Sequence, residues 1–236
     1  MTMQQNNPST VEIKTPSEKT AGQSSLYSLA EEIANSATHG LGLLLSIVGL
    51  VVLVVLAALR GDTWHIVSSA IYGATLVLLY TASTFYHAIP HERAKTVFRV
   101  LDHSAIFVLI AGTYTPFTLV NLRGAWGWAL FGTVWGLAII GVLLESTARQ
   151  RLRVLSHILY ISLGWMVMIA IKPLLGSVAT GGLVLLVAGG LAYTGGVVFY
   201  AWRKLPFNHA IWHLFVLAGS VCHYFSILLF VLPNRS

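Results

Sequence analysis

The feature that most restricts the fold of this chain is a series of seven long apolar runs separated by short polar segments. A helix needs about 20 residues to cross the ~30 Å hydrocarbon core of a bilayer, so each run predicts a membrane-spanning helix. The runs lie at about residues 40–59, 64–88, 103–122, 125–144, 154–172, 178–202 and 209–232. They are apolar throughout and do not alternate, unlike the strands of a membrane β-barrel. The sequence therefore predicts an all-α integral membrane protein with seven transmembrane helices.

The residues before the first run have a different composition. Residues 1–27 are mostly polar and lack an apolar core of the kind that secretory signal peptides have, so they predict a disordered tail. The segment "SLAEEIANSATHG" then predicts a short interfacial helix before the first span, with Ser28 and Glu31 spaced as a capping box. Residues 28–236 are accordingly expected to form the membrane domain.

The basic residues indicate the orientation of the bundle. The chain has 14 Lys and Arg and a net charge of +6. If the N-terminus faces the cytoplasm, ten of these residues lie inside, namely Lys14, Lys19, Arg93, Lys95, Arg99, Arg149, Arg151, Arg153, Arg203 and Lys204. Because loops rich in Lys and Arg stay in the cytoplasm, we predict a cytoplasmic N-terminus and an outer C-terminus. The positive charge is then a topology signal, and no nucleic-acid partner is expected.

Glycines in the spans predict close helix packing. Gly132 and Gly136 form a GxxxG pair, and doublets occur at Gly189-Gly190 and Gly195-Gly196. Small residues allow membrane helices to approach each other closely.

Seven of the nine histidines lie toward the predicted cytoplasmic face. They are His39, His87, His91, His103, His157, His209 and His213, whereas His65 lies outside and His223 lies deeper. Ionisable groups at membrane depth are energetically unfavourable, so they indicate a functional site by default.

Part of this group has the spacing of metal ligands. His209 and His213 are at i and i+4 of a predicted helix, where two imidazoles can bind one cation. A lone HxxxH is a weak signal, but His87 lies at the same predicted depth on another helix. Three His ligands and one open position are the pattern of a catalytic zinc site. Because Pro90 interrupts the helix between His87 and His91, His91 is not expected to be a ligand.

Two further polar residues accompany these histidines, and each has two interpretations. Asp102 is either an acid favoured by the N-terminus of its helix or a carboxylate that holds or deprotonates a metal-bound water. Ser83, four residues before His87, either hydrogen-bonds its own helix or contacts the water or a substrate carbonyl.

These residues together resemble a known family. SxxxH at the end of the second run, Asp102 in the third and HxxxH opening the seventh are similar to the progestin and adipoQ receptor (PAQR) family. The resemblance extends to "ExxNxxTH" from Glu32 to His39 and to "LDHSAIFVLIAGTYTPF". Within that family the chain resembles the bacterial hemolysin III branch, which belongs to the alkaline ceramidase-like superfamily of seven-helix membrane hydrolases.

The resemblance carries several implications. It implies a zinc ion near the cytoplasmic face, bound by His87, His209 and His213 with a water, and surrounded by Ser83 and Asp102. It also implies a multi-pass protein of a bacterial inner membrane, and it connects the chain both with lipid amide hydrolysis and with membrane homeostasis.

Three functional hypotheses follow. The first is a zinc-dependent hydrolase that attacks an amide or ester of a membrane lipid with zinc-activated water, with Asp102 and Ser83 as catalytic residues. The second is a regulator or sensor of membrane state with structural zinc. The third, a pore, is disfavoured because no row of charges lines a helix face. Roles for Glu32, Asn35, His39, His103, His157 and His223 remain open between lining the same cavity and linking helix ends.

Overall fold

The computed structural model describes residues 27–147 and 153–232, and within these ranges the regular structure is entirely helical. The elements are α1 (Leu29–Arg60), α2 (Thr63–Ala88), α3 (Glu92–Pro116), a π-helical turn (Phe117–Asn121), α4 (Ala125–Ser146), α5 (Arg153–Gly164), a 3₁₀ segment (Trp165–Ala170), α6 (Ile171–Ser177), α7 (Thr180–Ala201) and α8 (Asn208–Phe230). Seven helical spans among the described residues are long and apolar enough to cross a bilayer, which confirms the predicted membrane fold. The predicted tail lies outside the described residues except for Tyr27, and the orientation stays a prediction.

The first span differs from its prediction. The separate interfacial helix expected before it is wrong, because α1 runs without interruption from Leu29 to Arg60. No glycine or proline stands between Ser28 and His39, so nothing ends the helix there. The predicted capping box is confirmed: Ser28 Oγ accepts from the backbone N–H of Glu31, whose carboxylate accepts from the Ser28 N–H at 2.8 Å. At ~1.5 Å per residue, α1 is about 48 Å long and exceeds the ~30 Å hydrocarbon core.

The fifth span is interrupted, and a tyrosine from α3 occupies the interruption. It consists of α5, the 3₁₀ segment and α6 in succession. The Tyr114 hydroxyl donates to the carbonyl oxygen of Gly164 at 2.8 Å and accepts from the backbone N–H of Val167 at 2.7 Å. These bonds satisfy backbone groups that a change of helix type leaves without intrahelical partners. Two residues further along α3, Pro116 precedes the π-helical turn.

The helices enclose a large cavity on one side of the bundle. α1 packs on α2, α2 on α3, α3 on α4 and α7 on α8, and α1 also contacts α8. Among the described residues, the backbone of the fifth span packs against α3 and α4, whereas it meets α7 through side chains, as where Trp165 donates to Thr194 at 3.0 Å. A cavity of about 670 Å³ occupies the space between α3, the fifth span, α7 and α8. Its walls are mainly Leu, Ile, Val, Phe and Met side chains, so it is an apolar space of lipid-chain character.

The predicted glycine contacts are realised only in part. An added Cβ at Gly189 would lie 2.4 Å from the ring of His223, and one at Gly196 would lie 2.7 Å from side chains of α8. α7 and α8 therefore approach each other at glycines. Nothing lies within 4 Å of a Cβ at Gly132 or Gly136, so the predicted packing of that GxxxG pair within the bundle is wrong. Both residues lie on a face of α4 that no other described helix covers.

Candidate metal centre

Three histidines from two helices meet at one end of the bundle. His87 lies in the last turn of α2, and His209 and His213 lie in the first two turns of α8. Their ligand nitrogens all lie within 4.8 Å of one another. The three residues are 4%, 5% and 1% exposed. This histidine triad (His87, His209 and His213) is the predicted set of ligands, and its geometry could hold a metal ion.

The start of α8 is positioned by contacts with two other helices. Asn208, its first residue, donates from its side-chain amide to the carbonyl oxygen of Tyr200 at 3.1 Å, near the end of α7. Glu31 in the first turn of α1 accepts from the backbone N–H of Phe207 at 3.1 Å. These bonds set the beginning of α8, and hence its first two histidines, against α1.

A carboxylate orients the first histidine of the triad. Nδ1 of His87 lies 2.6 Å from Oε2 of Glu32, and Lys95 donates to the other oxygen of the same carboxylate. A carboxylate paired with lysine is an acceptor, so Nδ1 of His87 carries the proton. Its Nε2 is then a free lone pair, as in the carboxylate–histidine–metal arrangement of many metalloproteins.

The other two histidines are oriented from the same part of the chain. Nδ1 of His213 donates to the carbonyl oxygen of Asn35 at 3.1 Å and also lies 3.2 Å from Oγ1 of Thr38. The Tyr27 hydroxyl lies 3.2 Å from Nδ1 of His209. Burial raises the pKa of Tyr27 well above its ordinary value, so the phenol stays neutral and can accept from Nδ1. All three imidazoles are thus held by residues between 27 and 38.

The triad passes a direct test of whether a cation fits. The Nε2 atoms of His87 and His209 are buried and have no hydrogen-bond partner. A buried polar atom left unpaired costs about 1–3 kcal/mol, so such atoms normally indicate a missing ligand. Three neutral imidazoles suit zinc, and also cobalt, nickel or copper. Coordination of one ion would give both nitrogens a partner.

His39 lies directly beside the triad. Its ring stacks on that of His213 with centroids 3.5 Å apart and planes 11° apart, and it meets the edge of Tyr80 at 5.0 Å. Both of its ring nitrogens are buried without a hydrogen-bond partner. His39 therefore belongs to the surroundings of the triad, one of the two alternatives that the sequence leaves open.

The structure contradicts one of the two interpretations of Asp102. α3 begins at Glu92, so Asp102 is ten residues inside the helix, whereas a helix dipole favours acids within the first turn. Asp102 is buried, interacts with Ser83 and His87, and borders the cavity. The helix-terminus interpretation of this carboxylate is therefore wrong.

The interpretation of Ser83 as a hydrogen-bond donor to its own helix is also wrong. Its hydroxyl is fully buried and makes no hydrogen bond to the preceding turn of α2. It faces Asp102 from one turn below His87. Ser83 and His87 do share a face of α2, and that face is directed at the site.

The remaining histidines have different surroundings. His91 is exposed and caps the start of α3, outside the triad as expected. His103, His157 and His223 border the cavity, and His103 pairs with Glu145 of α4. His223 lies 3.2 Å from the carbonyl oxygen of Leu186 on α7.

Fold and site together define a class: a multi-pass integral membrane protein with a buried three-histidine centre beside an apolar cavity. The model of the family described as "Haemolysin-III related" matches residues 27–224, and the chain belongs to this family. The match begins at Tyr27, the residue that contacts His209.

Three relatives show how far the similarity extends. Hemolysin-3 of Bacillus cereus is 48% identical over 206 residues, which cover 87% of this chain and 94% of that protein. The Hemolysin-3 homolog of Bacillus subtilis (strain 168) is 47% identical over 205 residues, covering 87% and 96%. The human monocyte to macrophage differentiation factor is 30% identical over 203 residues, covering 84% and 83%. More distant heptahelical relatives support the wider PAQR relationship, so the resemblance to this family is confirmed. The bacterial relatives also indicate a cell membrane.

Proposed function

We propose that this chain is a zinc-dependent hydrolase that cleaves an amide or ester of a membrane lipid. One observation carries the proposal. Two residues of the histidine triad, His209 and His213, border a 670 Å³ apolar cavity that Asp102 also borders, and the Nε2 atoms of His87 and His209 have no hydrogen-bond partner. A metal-binding group, a buried carboxylate and a space for an alkyl chain therefore occur together.

The cavity suits the acyl chain of a lipid. Its volume lies within the ~300–1,000 Å³ that is usual for ligand pockets, and its lining extends from His209 to Leu122 near the other end of α3. The loose contact between the fifth span and α7 gives a lipid a lateral route from the bilayer. A chain bound there would present its carbonyl group to the polar end.

The chemistry can be assigned residue by residue. The triad would hold the zinc ion, which would supply a Lewis acid for water and for a carbonyl oxygen. Asp102 accepts the proton of the attacking water as the water oxygen bonds to the acyl carbon. Ser83 donates its hydroxyl hydrogen toward the negative charge that develops beside it during the reaction. The hydroxyl donates to no carbonyl group of its own helix, so no such bond competes with this one. The apolar walls exclude other water from the acyl chain.

A structural role for the metal is the main competing hypothesis. Direct hydrogen bonds from His87 to Glu32 and from His213 to Asn35 already join α1 to α2 and α8. These helices are therefore linked without an ion, which argues for a chemical use of the metal. A pore is disfavoured because Asp102 is the only carboxylate lining the cavity among described residues, and no Lys or Arg lines it.

The test combines metal analysis with turnover. Wild type, Asp102→Asn and the surface control His91→Ala are purified without added metal, and zinc per chain is measured by mass spectrometry. Hydrolysis of a fluorescent long-chain acyl amide and the matching ester is then followed in lipid nanodiscs. Metal in all three proteins, with turnover lost only in Asp102→Asn, is the expected result. A metal-loaded wild type that cleaves neither substrate would overturn the proposal.

A further inference from the structure

A second histidine–carboxylate pair borders the same cavity. His103 on α3 and Glu145 in the last turn of α4 are joined by Nδ1 and Oε1 at 3.0 Å. The Glu145 side chain is 9% exposed, whereas that of His103 is 30% exposed. Neither the triad nor the proposed roles of Asp102 and Ser83 use this pair.

The pairing determines which nitrogen of His103 is available for chemistry. The Glu145 carboxylate accepts, so Nδ1 carries the proton and Nε2 is the nitrogen that can exchange one. Nε2 makes no hydrogen bond, yet it is not among the fully buried unpartnered atoms, so it retains access to the cavity or its mouth. A carboxylate that holds one imidazole nitrogen while the other reacts is the arrangement in many acid–base histidines.

The position of the pair complements that of Asp102. Asp102 and His103 are consecutive on α3, so their side chains diverge by about 100° around the helix. Asp102 interacts with His103 itself and with His87 and Ser83 of α2, while the Nδ1 side of His103 is held toward α4 by Glu145, and both residues border the cavity. Two groups at one depth therefore flank the polar end of the cavity from different sides.

Hydrolysis of an amide needs one group to accept a proton and one to donate a proton. We propose that His103, oriented by Glu145, is the general acid that protonates the leaving nitrogen, a role that rests on the proposed hydrolase function. Asp102 accepts a proton from water as the water oxygen bonds to the acyl carbon. His103 begins this step as an imidazolium, with Nδ1–H held by Glu145 and a second proton on Nε2. The C–N bond then breaks, its electron pair goes to nitrogen, and nitrogen takes the proton from Nε2 of His103, which becomes neutral. The proton on Asp102 passes to His103, which restores both groups and leaves a carboxylic acid and an amine.

The test compares two long-chain substrates that differ in their leaving group. An aliphatic amide requires a proton on nitrogen, whereas a p-nitrophenyl ester releases a stable anion without one. In His103→Gln, we expect amide turnover to fall by about 10²- to 10⁴-fold, the usual contribution of a general acid, while ester turnover changes little. Glu145→Gln should show the same selectivity to a smaller degree. Bound zinc should equal that of wild type in both variants.

A matched control is His157→Gln, since His157 also borders the cavity at this end. It should affect the two substrates equally. Equal losses of amide and ester turnover in His103→Gln, or full amide turnover, would overturn the assignment of His103 as the general acid. If His103→Gln fails to fold, the same comparison of amide and ester turnover is made in Glu145→Gln. A zinc-loaded wild type that cleaves neither substrate would instead overturn the hydrolase proposal, and this inference with it.

Discussion

Two sides of the bundle differ in how tightly they pack. Over their most apolar stretches, α2 and α3 are 56% and 72% buried within the protein, whereas the fifth span and α7 are each only 17% buried. The well-packed side carries His87, Ser83 and Asp102, and the loosely packed side forms much of the cavity wall. Precise positioning of reactive groups requires rigid helices, while admission of a lipid chain requires space. The contrast suggests that the protein separates these two requirements in space.

The polar groups follow the same division. Glu32, Asn35 and His39 are buried on one face of α1 and contact the triad or stack on it. Polar groups are costly at membrane depth, and this clustering pairs Glu32 with His87 and the carbonyl oxygen of Asn35 with His213. Facing the loosely packed side, Tyr114 of α3 holds the interrupted backbone of the fifth span, and Trp165 of that span donates to Thr194 of α7.

The largest expected effect is loss of the metal from the well-packed side. His213→Ala removes one of three ligands, and the zinc content of the protein should fall from about one ion per chain to near zero. The measurement is zinc per chain in purified protein, with His91→Ala as a control that should keep its metal. Full zinc content in a folded His213→Ala protein would show that the triad is not the metal site.

The next effect separates chemistry from metal binding. Asp102→Asn keeps the size of the side chain but removes the proton acceptor, so turnover should fall by about 10²- to 10⁴-fold with zinc unchanged. Initial rates on a long-chain amide, measured beside zinc content, test this. Unchanged turnover would exclude Asp102 as the base.

Orientation of a ligand should matter less than its presence. Glu32→Gln weakens the carboxylate that holds His87, and metal affinity should fall by about 10- to 100-fold. Competition with a chelator of known affinity measures this change. Glu92, in the first turn of α3, is exposed and has no described side-chain contact with the triad, so Glu92→Gln should leave affinity as in wild type. Equal affinities in both variants would mean that Glu32 does not orient the ligand.

The space around the glycines also differs between the tightly packed helices and α4. A Cβ at Gly112 would lie 2.1 Å from Oγ1 of Thr75, whereas Gly132 has open space. Gly112→Val should therefore destabilise the α2–α3 contact by about 1–3 kcal/mol, as overpacking usually does. Thermal unfolding in detergent should show a lowered Tm for this variant and little change for Gly132→Val. The reverse order would contradict the described packing of α2, α3 and α4.

The smallest effect is expected at the opposite end of the bundle. Arg123 donates to Asp62 at 2.7 Å and holds the pKa of that exposed carboxyl well below its usual range. Because the pKa of Asp62 is lower in the folded protein, its ionised carboxylate stabilises the fold at pH values above the usual Asp pKa of about 4. This contribution is lost as the pH falls through the lowered pKa. Arg123→Gln should thus lower the Tm slightly at neutral pH, with a difference that is constant down to about pH 5 and shrinks below it. A difference that grows on acidification would contradict this sign.

Spacing along the sequence was sufficient to predict the placement of some site residues but not of others. The spacing of His209 and His213 determines that they share a helix face, because side chains at i and i+4 are neighbours on any helix. Glu32, Asn35 and His39, at i, i+3 and i+7, also share a face, which was a usable signal for a third helix at the site. Tyr27 and Glu145 carried no such signal, since each acts on a residue far away in sequence.

The sequence by itself determined the seven spans and the pairing of the α8 histidines, because transfer into lipid and helical periodicity depend on local composition and spacing. Only the tertiary structure decided which contacts form between spans. It placed Tyr27 and Glu32 on the ligands, buried Asp102 in mid-helix, left Gly132 uncovered and opened the cavity beside the fifth span. These outcomes depend on how whole helices pack against each other, which no single segment of the chain specifies.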